Sequence, residues 1–177
     1  MIELIRTRRS IRSFTGEPVS SEHRELLVES LLRAPSSRNI NPWKFVMVDD
    51  RGLLEELSRS KQHGSAFLKD AAIGVVICAD QNKCDVWVED CSIAAILLQM
   101  TALSLGLGSC WIQIRKRQHN ETVTAEEHVR RVLGIPEHLR VDSIIAIGHP
   151  AIRREPLPAD QLQYEKVSYN RYGEALR

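Results

Sequence analysis

The sequence predicts an α+β fold, with one sheet and helices packed around it. Short runs of β-branched and small residues at Trp43–Val48, Ala72–Ala79, 109–114 and Val141–Ile147 are interleaved with helix-length segments carrying apolar stripes. Glycine and proline mark the boundaries, at Pro35, Gly106, Gly108, Gly134, Pro136 and Gly148-His149-Pro150. A length of 177 residues, with 43% hydrophobic and 27% charged residues, suits one domain spanning 1–177 in which 151–177 is a C-terminal extension.

Residues 2–9 read as a short helix, with Leu4 and Ile5 apolar and arginines following. The second helix starts at Ser20 or Ser21, either of which can cap it, and Glu22 suits its first turn. Leu26, Leu27, Leu31 and Leu32 supply its apolar stripe, and Pro35 ends it. Ser36–Pro42 is dense in turn formers, and Trp43–Val48 reads as a buried strand. A helix over 51–59 has Leu53, Leu54 and Leu57 on one face. Ala72–Ala79 is the clearest core strand.

The helix over 87–105 is apolar around most of its circumference, which places it at the centre of the fold or in a subunit interface. Gly106 and Gly108 break it before the strand at 109–114. Thr124 caps a helix running to 133, with Glu126 and Glu127 in its first turn. Val141–Ile147 is the last central strand. Residues 151–177 hold two prolines, three tyrosines and no long periodic stretch. Such a tail is either disordered or wraps something; its spaced tyrosines with Leu157, Leu162 and Val167 favour wrapping a partner subunit.

A net charge of +1 provides no global field for nucleic acid or an anionic membrane. Cys78, Cys84, Cys91 and Cys110 form no C-x-x-C pair, and all but Cys84 lie in apolar segments, so reduced thiols in the cytoplasm are expected. The Arg-rich N-terminus contains Glu3 and lacks a long apolar core, unlike a secretory signal. The 24 uncharged residues from Cys91 to Ile114 are long enough to span a bilayer, but Gln99, Gln113 and the central glycines favour a buried helix running into a strand.

Self-contained catalytic machinery is missing from the sequence. Gly106-Leu107-Gly108 leads from helix to strand, the reverse of a dinucleotide turn, and lacks its third glycine. There is no phosphate loop with its Gly-Lys-Ser/Thr, no nucleophile elbow and no H-E-x-x-H, so no metal is expected. What remains suits anion and amide recognition. Arg6, Arg8, Arg9, Ser10 and Arg12 bring four guanidinium groups close together, as either a solvated basic end or a phosphate clamp. Pro35–Trp43 is rich in short hydrogen-bonding side chains. Gly106–Ile114 sets a glycine turn beside a Trp, and Gly148 at a strand end allows close approach of a flat ligand.

Taken in order, RRSIRSF, APSSRNINPW, GLGSCW and AIGHP resemble the nitroreductase family of FMN-dependent oxidoreductases over about residues 2–150. The resemblance implies an α+β homodimer with FMN at the subunit interface and a C-terminal extension around the partner. It implies that Arg8, Arg9, Ser10 and Arg12 hold the ribityl phosphate and reach the pyrimidine edge of the ring. Ser37, Asn39 and Asn41 match a loop lent to the partner's site, although many relatives carry Gln in place of Asn41. Ser109, Trp111, Ile112 and Gln113 match the segment along the isoalloxazine, and Gly148 matches the strand end near the phosphate. Arg153 and Arg154 are candidates for closing on the phosphate, but prolines follow at once and they stand outside the expected site. The substrate pocket maps to 60–70 and 112–123, where Gln62 or His63 is a candidate to face the flavin.

The implied activity is ping-pong hydride transfer from NAD(P)H through flavin N5 to a flat acceptor such as a nitroaromatic or quinone. No catalytic side chain is required, because the cofactor carries the chemistry. The alternatives are a flavin sensor or store without turnover, and a flavin-cleaving or dehalogenating branch of the same superfamily.

Overall fold

Small and β-branched residues build a four-stranded antiparallel sheet in the order β1-β2-β4-β3. Its strands are β1 (Trp43–Val48), β2 (Ile73–Asp80), β3 (Gly108–Gln113) and β4 (Leu139–Gly148). They are seen in a computed structural model that describes residues 1–175. β2 and β4 are central and buried on both faces, so β2 is apolar without a break from Ile73 to Ala79 and β4 from Ile144 to Ile147. The register sets Trp43 opposite Ala79, Ile73 opposite Ile147 and Gly108 opposite Gly148. Ile77 faces Ser143 while Cys78 faces Val141, which leaves Asp142 as the extra residue of a β-bulge.

The helices are α1 (Ile2–Thr7), α2 (Ser21–Leu32), α3 (Arg51–Ser58), α4 (Trp87–Ser104) and α5 (Ala125–Leu133). Against one face of the sheet, Leu27 and Leu31 of α2 and Ala94, Ala95 and Leu98 of α4 pack on Ile145 and Ile147. On the other face, Leu54 and Leu57 of α3, Leu68 and Val129 of α5 pack on Val76, Ile112 and Ile144. Each buried Leu, Ile or Val side chain contributes about 1.5–3 kcal/mol on burial.

Local signals set the ends of these helices. The Ser20 side chain accepts from His23 N–H at 3.2 Å, and Thr124 with Glu127 closes a reciprocal capping box. Asp50 caps α3 by accepting from Leu53 N–H at 2.9 Å. α4 ends in a Schellman motif: Gly106 has φ of 76°, and Leu107 N–H donates to Ala102 O at 2.9 Å.

Two expectations need correction. α1 stops at Thr7 rather than running to residue 9; Arg8 is its C-cap in extended conformation, with its N–H donating to Leu4 O, and Arg9 follows it. Only Leu27 and Leu31 of the α2 stripe are buried; Leu26 and Leu32 point away from the sheet, because one face of a helix cannot hold all four. Cys84 is buried like the other three cysteines, and all four are free. Burial pushes the Cys78 thiol up to about 11 and raises that of Cys91 as well.

α4 leaves Ile93 and Ile96 about 40% exposed beside its buried face. The tail from Ala151 to Ala175 carries short 3-10 turns at Ala159–Gln161 and Tyr164–Lys166, and every residue in it is exposed. Among the described residues no helix is long and apolar enough to cross a membrane.

Candidate functional site

After α1 the chain runs extended across one corner of the sheet. Ile11 N–H donates to Ser109 O at 2.9 Å, Thr15 N–H to His149 O at 3.0 Å, and Ala151 N–H to Ser13 O at 2.9 Å. These bonds bring the N-terminal arginines, the start of β3 and the segment after β4 together. The two glycines at this corner have a packing reason. A Cβ on Gly108 would lie 2.9 Å from Ile11 Cβ, and one on Gly148 would lie 3.0 Å from Ala72 N and 3.1 Å from Phe14 Cδ1. The space over Gly148 is therefore taken by Phe14 rather than by a flat ligand.

Between these segments lies a cavity of about 290 Å³, walled by Arg8, Arg9, Arg153, Arg154 and Ser109. The Arg9 guanidinium donates to Glu155 O, which fixes the post-strand segment against the N-terminal one. Four guanidinium groups around a cavity this small suit a phosphate monoester. Arg6 takes no part; it pairs with Glu3 on the surface of α1. Arg153 and Arg154, left outside the expected site, are thus part of the wall.

From this cavity the outer edge of β3 runs along the molecule. Because Ser109 O points outward to Ile11, alternation turns the backbone groups of Trp111 and Gln113 outward too, while those of Cys110 and Ile112 pair with β4. Ile112 is a correction: its side chain is fully buried in the core and its backbone is engaged in the ladder, so it offers nothing to a ligand at this edge. Trp111 Nε1 donates to Gln113 Oε1 at 2.9 Å, and Gln113 Nε2 to Arg115 O at 3.0 Å, which locks both side chains.

Cations gather at the middle of the edge. Burial raises the Cys110 thiol pKa, and the charges of Arg12, Lys61 and Arg8 together with the Ser10 hydroxyl oppose that rise, which places these groups around it. Arg12 lies 6.0 Å from the Phe67 ring centroid. Lys61, rather than its exposed neighbours Gln62 and His63, is the half-buried residue of its segment. Its ammonium is held below the ordinary value, first by desolvation and then by Arg117. Neither spacing nor composition distinguishes Lys61; only the fold sets it beside Arg12.

Ser37, Asn39 and Asn41 do not join this cluster. They precede β1, the opposite edge of the sheet, and Pro42 O accepts from Asp80 N–H at the far end of β2. Ser37 N–H donates to the Asp90 carboxylate at 2.8 Å, and Asn41 N–H to Ser36 Oγ at 2.9 Å. Arg38, Asn39 and Asn41 all hold φ near +50°, a strained conformation for side-chain-bearing residues. The loop is thus a preset, exposed turn at the diagonal corner of the same chain.

Comparison with known proteins supplies a context for this arrangement. A model described as the Nitroreductase family matches residues 5–72 and 53–149. The chain is 35% identical over 163 residues to a protein of Archaeoglobus fulgidus provisionally named NADH dehydrogenase/NAD(P)H nitroreductase, covering 90% of each. It superposes on an FMN-dependent nitroreductase from Clostridium difficile R20291 with a TM-score of 0.95 and 39% identity, covering 97% of this chain and 100% of that one. It also matches the NADPH:FMN oxidoreductase of Vibrio harveyi, complexed with NAD+, at a TM-score of 0.83 and 27% identity over 98% of this chain and 78% of that one.

Proposed function

The chain belongs to the nitroreductase family, and on that premise we propose that it is an FMN-dependent oxidoreductase carrying hydride from NAD(P)H to a flat acceptor such as a nitroaromatic or quinone. The observation that carries this reading is the cavity walled by Arg8, Arg9, Arg153 and Arg154 at the head of an open strand edge. Its residues fit FMN, with a phosphate-sized set of guanidinium forks at one end and outward backbone groups beyond. Bound FMN supplies reversible hydride chemistry at its N5.

The chain's own residues bind and tune. Arg8, Arg9, Arg153 and Arg154 neutralise a phosphate. Arg12 and Lys61 raise the local potential at the middle of β3, which favours a ring that gains negative charge on reduction. The backbone of Trp111 and Gln113 orients the ring edge, and Cys110 stays a buried neutral thiol that packs beneath it.

The protein acts as a homodimer in this reading. An entirely exposed tail with apolar and aromatic side chains, and the exposed Ile93 and Ile96 of α4, need a cover, and a second copy provides it. Ser37, Asn39 and Asn41, remote from the cavity of their own chain, then complete the partner's site. The buried free thiols suit the reducing cytoplasm. An absorbance spectrum of the purified protein tests the cofactor assignment: flavin bands with FMN released on denaturation support it. A colourless protein that takes up no added FMN overturns it.

A further inference from the structure

A second cavity, of about 460 Å³, opens where β3 ends, walled by Arg115, Lys116, Arg117, Trp87, Arg140 and Glu126 among others. We propose that this cavity binds a phosphomonoester dianion, the 2′-phosphate of NADPH, and so makes the enzyme selective for NADPH over NADH; the inference rests on the flavoenzyme reading above.

The turn that presents the cations is fixed by its own backbone bonds. Ile114 N–H and Arg115 N–H both donate to Asp142 O, at 3.2 and 2.9 Å, and Arg117 N–H donates to Ile114 O at 3.1 Å. Lys116 sits between them in the left-handed region, at φ of 57°. The Arg115 guanidinium lies over the Trp87 ring, 5.6 Å from its centroid, which fixes its direction.

The positive charge there is compensated only in part, by the electrostatic action of Arg115 on the buried Asp142 carboxyl. Arg140 is neutralised by Glu126, with bonds of 2.5 and 2.7 Å, and Glu126 also accepts from Val141 N–H at 3.1 Å. Among the described residues, Arg115, Lys116 and Arg117 enter no ion pair. Three consecutive cations at a cavity repel one another unless an anion joins them.

Position then selects the anion. The path from Ser109 to Arg115 spans roughly 20 Å at a strand's rise of about 3.3 Å per residue. With the phosphate of FMN in the first cationic cavity, the second lies further along β3 and is left for the phosphate of a second nucleotide. Arg117 acts electrostatically on Lys61, which ties this cavity to the field along β3. NADH has no group for it.

The test uses the FMN-loaded protein and the double variant Lys116→Ala/Arg117→Ala. The ratio of kcat/KM for NADPH to that for NADH falls at least about tenfold in the variant, through KM. Calorimetric titration supplies a readout without turnover: adenosine 2′,5′-bisphosphate binds the wild-type holoprotein more tightly than adenosine 5′-monophosphate, and the variant loses the difference. An unchanged ratio and unchanged titration in a protein that holds FMN and turns over overturn this inference alone. Inorganic phosphate binding as tightly as the bisphosphate assigns the cavity to free phosphate and overturns the coenzyme assignment. A protein without FMN or nucleotide oxidation overturns the flavoenzyme reading and this inference with it.

Discussion

Ile11 packs directly on the backbone of Gly108, and the next residue of β3, Ser109, accepts the Ile11 N–H at 2.9 Å. This contact holds the segment carrying Arg8, Arg9 and Arg12 against the sheet. Gly108→Ala puts a Cβ 2.9 Å from Ile11 Cβ and Cγ2, atoms that cannot swing aside as a side-chain tip can. The expected cost is about 1–3 kcal/mol, a fall in Tm of roughly 2–12 °C, together with weaker FMN binding. Calorimetry and flavin titration check both; an unaltered Tm refutes the packing account.

Arg9 and Arg6 separate the cavity from the general positive charge of the N-terminus. Arg9→Ala weakens FMN binding by about 1.5–3 kcal/mol, roughly 10- to 150-fold in Kd, because it removes a charge-assisted contact. Arg6→Ala, which only frees exposed Glu3, leaves the Kd in place. Equal losses in the two variants, read by quenching of flavin fluorescence, would assign the effect to net charge.

Asp142 provides a pH prediction. Burial pushes its carboxyl up to about 6, and its Oδ2 has no hydrogen-bond partner. Its native pKa therefore lies above the unfolded value of about 3.9, so the native state keeps a proton that the unfolded chain releases. Stability falls as pH rises from about 4 to 6 and then levels off. Asp142→Asn is more stable than the wild type above about pH 7, by up to roughly 3 kcal/mol, and the gain vanishes near pH 4. Urea unfolding at a series of pH values checks this; a difference that does not change with pH contradicts it.

The exposed tail bears on assembly. Truncation after Glu155 keeps Arg153, Arg154 and the Arg9–Glu155 bond but removes Leu157, Leu162, Val167 and the three tyrosines. The truncated protein dissociates at higher concentration than the full chain in analytical ultracentrifugation. An unchanged dimer affinity shows that the tail does not bridge two copies.

Features that depend on close neighbours in the chain were legible in the sequence. Thr124 and Glu127 cap α5 across one turn, and Gly106 ends α4, with nothing needed from elsewhere. The continuous apolar run of β2 announces a strand buried on both faces. Features set by distant pairing were not legible. Arg153 and Arg154 reach the cavity because Ala151 bonds to Ser13, and no spacing reveals that bond. Gly148 faces Phe14, Lys61 comes beside Arg12, and Ile112 turns into the core, all through the tertiary register of the N-terminal segment and β3.

The most direct test of the central claim is anaerobic addition of NADPH, and separately of NADH, to the FMN-loaded protein, followed by visible absorbance. The flavoenzyme account predicts that the flavin band bleaches and returns when menadione or nitrofurazone is added. A band that stays oxidised under both nucleotides contradicts it.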